Sequence, residues 1–112
     1  MREQWCRGWW EQKGYGRQEM DPLSISITGD LISGSGRDVA GRFKLAGFIS
    51  RQGRVWMLKR YFYVHVAVYT GGYDGSGKLS GRWWLWGQKG DWEITLGVDL
   101  FGEPLVDTAG AP

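Results

Sequence analysis

One cysteine, one histidine and three prolines are all that this 112-residue chain carries of each, and each shortage closes off a class of chemistry. With Cys6 alone, the chain can form neither an internal disulfide nor a cluster of metal-binding thiolates. A reducing, cytoplasmic setting is the expectation. Any imidazole chemistry rests on His65, so no metal and no cofactor are expected. An excess of either charge is also missing: 14 basic against 12 acidic residues leave a formal charge of +2. That is too little to make nucleic acid or an anionic membrane an obligatory partner, and neither is expected. No apolar run approaches the length of a bilayer span, and the first residues lack the apolar centre of a signal peptide. The length suits one domain with one core.

Glycine and aromatic residues are abundant. Nineteen glycines alone would suggest low complexity, but eight tryptophans, five tyrosines and four phenylalanines belong to a packed chain. The glycines therefore read as punctuation between strands. Residues 23–28 alternate cleanly, with Leu23, Ile25 and Ile27 on one face and Ser24, Ser26 and Thr28 on the other, the pattern of a half-buried strand. Residues 4–11 read as a strand ending in a turn at 13–16, and Gly29 with Asp30 reverses the chain into a short strand at 31–33. Residues 34–38 read as a glycine-rich break. Beyond it Phe43, Leu45, Gly47 and Ile49 alternate with Arg42, Lys44, Ala46 and Phe48, and Gln52 with Gly53 forms a hairpin signal. Further strands are expected at 55–61, 64–69, 79–86 and 92–96, with a reversal at 71–77 and a turn at 87–90.

No segment has a persuasive helical period. About eight short strands with short connections predict an all-β fold, a single antiparallel up-and-down β-barrel over residues 1–96, because closure removes exposed edges. A two-sheet β-sandwich is the alternative. Gly41, Gly47 and Gly81 inside strands favour the barrel, since strong coiling needs backbone that can approach closely. Residues 97–112 lose periodicity and read as a tail, docked through Leu100 and Phe101.

The meander resembles the avidin and lipocalin (calycin) group of ligand-holding barrels in architecture. Locally, the segment from Gly34 through Asp38 to Phe43, the Lys59-Arg60-Tyr61 run with His65 and Tyr69, and Tyr73 to Gly77 with Gly81-Arg82-Trp83 are similar to a family of short bacterial β domains. The avidin biotin pattern and the lipocalin entry motif are not present, so the resemblance implies a place for a ligand and names none.

A P-loop look-alike at 72–79 is set aside, because Leu79 stands where a magnesium-binding Ser or Thr is required. The valines at 64, 66 and 68 prefer the dry side, so alternation turns His65 outward. In the inverted arrangement His65, Tyr69, Tyr61 and Lys59 would line a polar lumen. Asp38, beside Arg37, reads as an Asx-type turn residue with a surface ion pair. Adjacent Trp83 and Trp84 must point to opposite faces, and Trp86 is expected to join Trp84 and Arg82 in an aromatic patch near Tyr69, His65 and Trp56. The candidate ligand-binding residues are therefore Trp56, Lys59, Tyr61, His65, Tyr69, Arg82, Trp84 and Trp86, with no catalytic set. The expected function is non-enzymatic binding of a small hydrophobic or aromatic molecule. The alternatives are a cyclase- or isomerase-type barrel enzyme using His65 and Tyr69, and a homo-oligomeric interaction module joined through Trp84 and Trp86.

Overall fold

The computed structural model describes residues 3–62 and 65–97, and every regular element in them is a β-strand. The strands are β1 (Gln4–Trp5), β2 (Arg7–Gln12), β3 (Gly16–Met20), β4 (Leu23–Thr28), β5 (Leu31–Asp38), β6 (Gly41–Ile49), β7 (Arg54–Tyr61), β8 (Val66–Tyr73), β9 (Lys78–Leu85) and β10 (Gln88–Thr95). They form one antiparallel sheet in the order β1-β4-β5-β6-β7-β8-β9-β10-β2-β3. Both ends of that order meet. β2 pairs with β10 on one side and with β3 on the other, while β1, which runs into β2 through Cys6, pairs with β4. The Cys6 N–H donates to the Leu23 carbonyl at 2.8 Å and keeps the ladder going across the break. β1–β2 and β3–β4 are thus two bent staves, and with the six strands β5 to β10 they make an eight-stave up-and-down barrel. The expected fold class holds.

Alternation sends one face of each strand into the barrel. Ile25, Phe43, Leu45, Met57, Tyr69, Leu79, Trp83, Trp92 and Ile94 are all buried there. Large rings fit because glycines stand opposite them. Gly71 and Gly81 are paired across β8 and β9, and a Cβ on either would fall within 1.9 Å of a carbonyl oxygen on the neighbouring strand. The Trp92 indole N–H donates to the Thr70 and Arg82 carbonyls, each at 3.1 Å. Gly47 makes a similar close approach on β7, whereas Gly41 has open space around it and serves the β5–β6 turn with φ 124°. Two of the three glycines expected to mark coiling do so.

Several boundaries differ from the sequence reading. β3 was not expected, and the break at 34–38 is the second half of β5, where Gly34 and Gly36 continue the ladder. β8 runs on through Gly71 and Gly72, so the reversal occupies only 74–77. The last hairpin turns at Trp86 and Gly87, with β10 beginning at Gln88 rather than after Gly90. Tyr63, Val64 and residues 98–112, which include Leu100 and Phe101, lie outside the described residues.

Candidate functional site

The inward positions of β7 are Val55, Met57, Lys59 and Tyr61, so alternation carries a lysine into the barrel among apolar neighbours. Lys59 is 0% exposed. On β5 the inward sequence runs Ile32, Gly34, Gly36 and Asp38, which brings a carboxylate to the same level. The Lys59 ammonium donates to Asp38 Oδ2 at 2.5 Å and to the Tyr69 hydroxyl at 3.1 Å. Asp38 Oδ2 also accepts the Tyr61 O–H at 2.7 Å and the Trp10 Nε1–H at 3.0 Å, and Oδ1 takes the Ala40 N–H at 2.9 Å. Both carboxylate oxygens are satisfied, as a buried charge requires. Asp38 does form the expected Asx-type turn. Its ion pair, however, is internal rather than on the surface.

Aromatic rings surround the ammonium. Lys59 Nζ stands 4.3 Å from the Phe43 ring centroid, 5.0 Å from Tyr61, 5.4 Å from Tyr69 and 5.7 Å from Trp10. This is a cation–π cage filled by the protein's own side chain. Burial pushes the Lys59 pKa down to about 8 from 10.5, with the Asp38 charge and hydrogen bond opposing the shift. Burial and the nearby Asp38 push both Tyr61 and Tyr69 well above the usual phenol range. An amine with a lowered pKa beside a carboxylate is a combination that enzymes use. Here the rings close over it, and in this conformation no path leads a substrate to Nζ.

The expectation that the valines face inward on β8 is overturned. Ala67 and Tyr69 are buried, whereas Val66 is 41% exposed, so the inverted arrangement is the real one. The reason is volume: β8 lies against Trp83 on β9 and Met57 on β7, and Tyr69 both fills that space and finds a donor in Lys59. His65 follows the same parity to the barrel mouth. Its ring meets the edge of Trp86 at 4.4 Å and that of Tyr61 at 6.4 Å, and its buried Nδ1 has no hydrogen-bond partner among the described residues.

The candidates therefore divide into three places. Lys59, Tyr61 and Tyr69 meet inside, while His65 and Trp86 cap the mouth. Trp56, Arg82 and Trp84 lie on the outer wall, which separates them from Tyr69 rather than placing them near it. Trp83 and Trp84 do point to opposite faces, at 4% and 42% exposure. Trp86 does not share a strand face with Trp84, because it sits in the turn at φ 50°. Arg82 pairs with Asp91 at 3.2 Å. On the wall Trp56 stacks on Phe48, with centroids 5.6 Å apart and planes at 27°. Phe48, Asp38 and Trp10 were missed as site residues. Asp38 could have been found as a charge at an inward position in step with Gly34 and Gly36. No cluster of three or more metal-ligating His, Cys, Asp or Glu side chains occurs among the described residues. No protein-family model, no curated protein and no solved structure matches this chain.

Proposed function

We propose that the chain is a non-enzymatic binding barrel that takes a small, flat, partly apolar molecule on its outer wall. Its lumen is already occupied by side chains. The observation that carries this reading is an open groove of about 710 Å³ lined by Phe48, Arg54, Val55, Trp56, Thr70 and Gly71. Two rings are already stacked along it, so a planar ligand would add to an arranged surface with little side-chain ordering to oppose it. Arg54 supplies a charge and Thr70 a hydroxyl, the sparse polar groups that orient a ligand in an apolar site. A flat anionic dye, 1-anilinonaphthalene-8-sulfonate, tests the groove directly. Its emission should rise on the native protein and fall back in Trp56→Ala and in Arg54→Glu. Equal dye emission in native protein and both variants would remove the groove as the site.

A second reading has its own support. Pairing rows on the wall place Leu31, Phe48 and Trp56 side by side, and Ala46, Leu58, Val68 and Trp84 beside them, an apolar stripe across five strands. A stripe of that breadth suits a second copy of the chain. Light scattering separates the two readings: a dimer that Trp84→Lys splits supports self-association, and a monomer at all concentrations sinks it.

A further inference from the structure

Strands that alternate up and down gather their turns at two ends, and the two ends of this barrel differ in chemistry. At one end lie the β2–β3, β5–β6, β7–β8 and β9–β10 turns. Each carries one large, exposed apolar side chain: Tyr15 at 72%, Val39 at 74%, Phe62 at 57% and Trp86 at 73%. These tips are tied together. The Phe62 N–H donates to the Arg42 carbonyl at 3.2 Å, His65 touches Trp86, and Gly90 pairs with Gln12 just below the β2–β3 turn. The opposite end turns at Gly29 with Asp30, at 50–53 and at 74–77; no residue within these turns is large, apolar and exposed, and a single such side chain, Leu31 at 62%, flanks the first of them.

Trp86 stands out further. Trp86 and Gly87 both have positive φ, at 50° and 78°, and they bridge the Leu85–Gln88 pair, the form of a two-residue type I′ hairpin turn. That turn favours Asn, Asp or Gly, and a bulky residue is strained in it. A strained, exposed indole at a hairpin tip serves the fold poorly.

Below Val39 and Phe62 the outer surface is basic, whereas below Tyr15 and Trp86 the acids Glu11 and Asp91 are neutralised by Arg17 and Arg82. Arg37 lies directly opposite Arg42, and Lys44 directly opposite Arg60, on neighbouring rungs of β5, β6 and β7. Like charges facing one another across strands destabilise a sheet. None of these four forms an ion pair among the described residues, and the nearby Asp38 is consumed inside by Lys59. An anionic partner would relieve that repulsion.

We propose that this end of the barrel docks on an anionic lipid bilayer, with Tyr15, Phe62 and Trp86 entering the headgroup region and Arg37, Arg42, Lys44 and Arg60 facing the lipid charge. Aromatic rings favour that depth, and each basic residue near an anionic surface strengthens binding about fivefold. Docking needs no spanning element, and no described helix is long and apolar enough to cross a membrane. Single-stranded nucleic acid also pairs basic residues with aromatic platforms, but aliphatic Val39 shares this rim and offers no ring for a base to stack on, which favours a bilayer.

The test is co-sedimentation of the full chain with vesicles of phosphatidylcholine alone and of phosphatidylcholine with phosphatidylserine. Binding should require the anionic lipid, weaken as salt rises, and move tryptophan emission to the blue. Arg42→Glu with Arg60→Glu makes opposite-charge rungs that do not stress the fold, and should lower partitioning about twentyfold or more. Trp86→Asn suits the turn, so it should melt no lower than the native protein while losing the emission shift and much of the binding. Three results overturn the proposal: no partitioning onto anionic vesicles at low salt, partitioning unchanged in both variants, or a short single-stranded oligonucleotide bound in preference to the vesicles.

Discussion

Lys59 holds a formal charge where the barrel is driest, and its stability contribution depends on keeping its partners. Removing one member of a buried pair leaves the other uncompensated, at a cost of about 3–5 kcal/mol, whereas removing both charges together is often nearly neutral. Lys59→Met should therefore be strongly destabilising in urea titration, and Lys59→Met with Asp38→Asn should recover most of the loss. A double variant no better than the single would mean that the pair contributes through shape alone. The same residue sets a pH dependence. Its folded pKa, about 8, lies below the unfolded 10.5, so in that interval the unfolded chain binds more protons and stability rises with pH. Cys6, raised by burial from 9.0, and the two raised tyrosines act in the opposite direction once the unfolded thiol and phenols begin to ionise. Between pH 8 and 9 the urea midpoint should accordingly increase in the native protein and not in the double variant. A midpoint that falls in that window would reverse the assigned direction.

Individual strands were legible in the sequence where their inward positions are apolar and unlegible where they are not. β4, β6 and β7 show Leu23, Ile25 and Ile27, Phe43, Leu45 and Ile49, and Val55 and Met57 at every second residue. β3 presents Gln18 and Met20 to the inside, and the end of β5 presents two glycines and the buried Asp38, so neither has a hydrophobic period to find. β8 misled because Val66 and Val68 lie on the outside, Val66 opposite Arg60 and Val68 between Leu58 and Trp84, where a single-strand rule sees only their preference for dryness. The polar cage was hidden for a related reason: spacing marks Asp38 as inward, but its meeting with Lys59 across β6 and with Trp10 across the closed sheet is recorded in no single strand. Glycines at inward positions carry part of that closure. Gly81→Ala would place a Cβ 1.9 Å from the Thr70 oxygen and 2.5 Å from the Gly71 Cα, so β8 and β9 must part and Trp92 must lose its acceptors. About 3 kcal/mol of destabilisation is expected, at the upper end of overpacking effects. Gly14→Ala, in a turn at φ 90° with nothing near, should cost only about 1 kcal/mol. Equal losses in thermal melts of the two variants would refute close approach as the cause.

Closure also governs how the whole molecule should unfold. The seam joins the first stave to the last: Trp10 pairs with Trp92, the Trp83 indole donates across to the Glu11 carbonyl at 3.1 Å, and the Trp9 indole donates to Glu93 at 3.3 Å. Without that seam, β10 and the β1–β2 stave would each present unpaired edges, and Trp10 would no longer cover Asp38. The barrel interior and its ladder should therefore be lost together, in one transition, as small single domains usually show. Contacts of such long sequence separation also place refolding in the slow range of about milliseconds to seconds. Far-UV circular dichroism reads the ladder, while the red shift of tryptophan emission reads release of the sealed Trp83 and Trp92 rings, the exposed indoles being in water throughout. Both should give the same urea midpoint in the native protein. Gly90→Ala directs a Cβ at the Glu11 oxygen and the Trp83 indole, so it strains the seam together with the core ring that bonds across it, and both midpoints should fall by the same amount. If fluorescence changes first and circular dichroism later, the seam opens as a unit of its own, and the molecule would be an open sheet that closes only weakly.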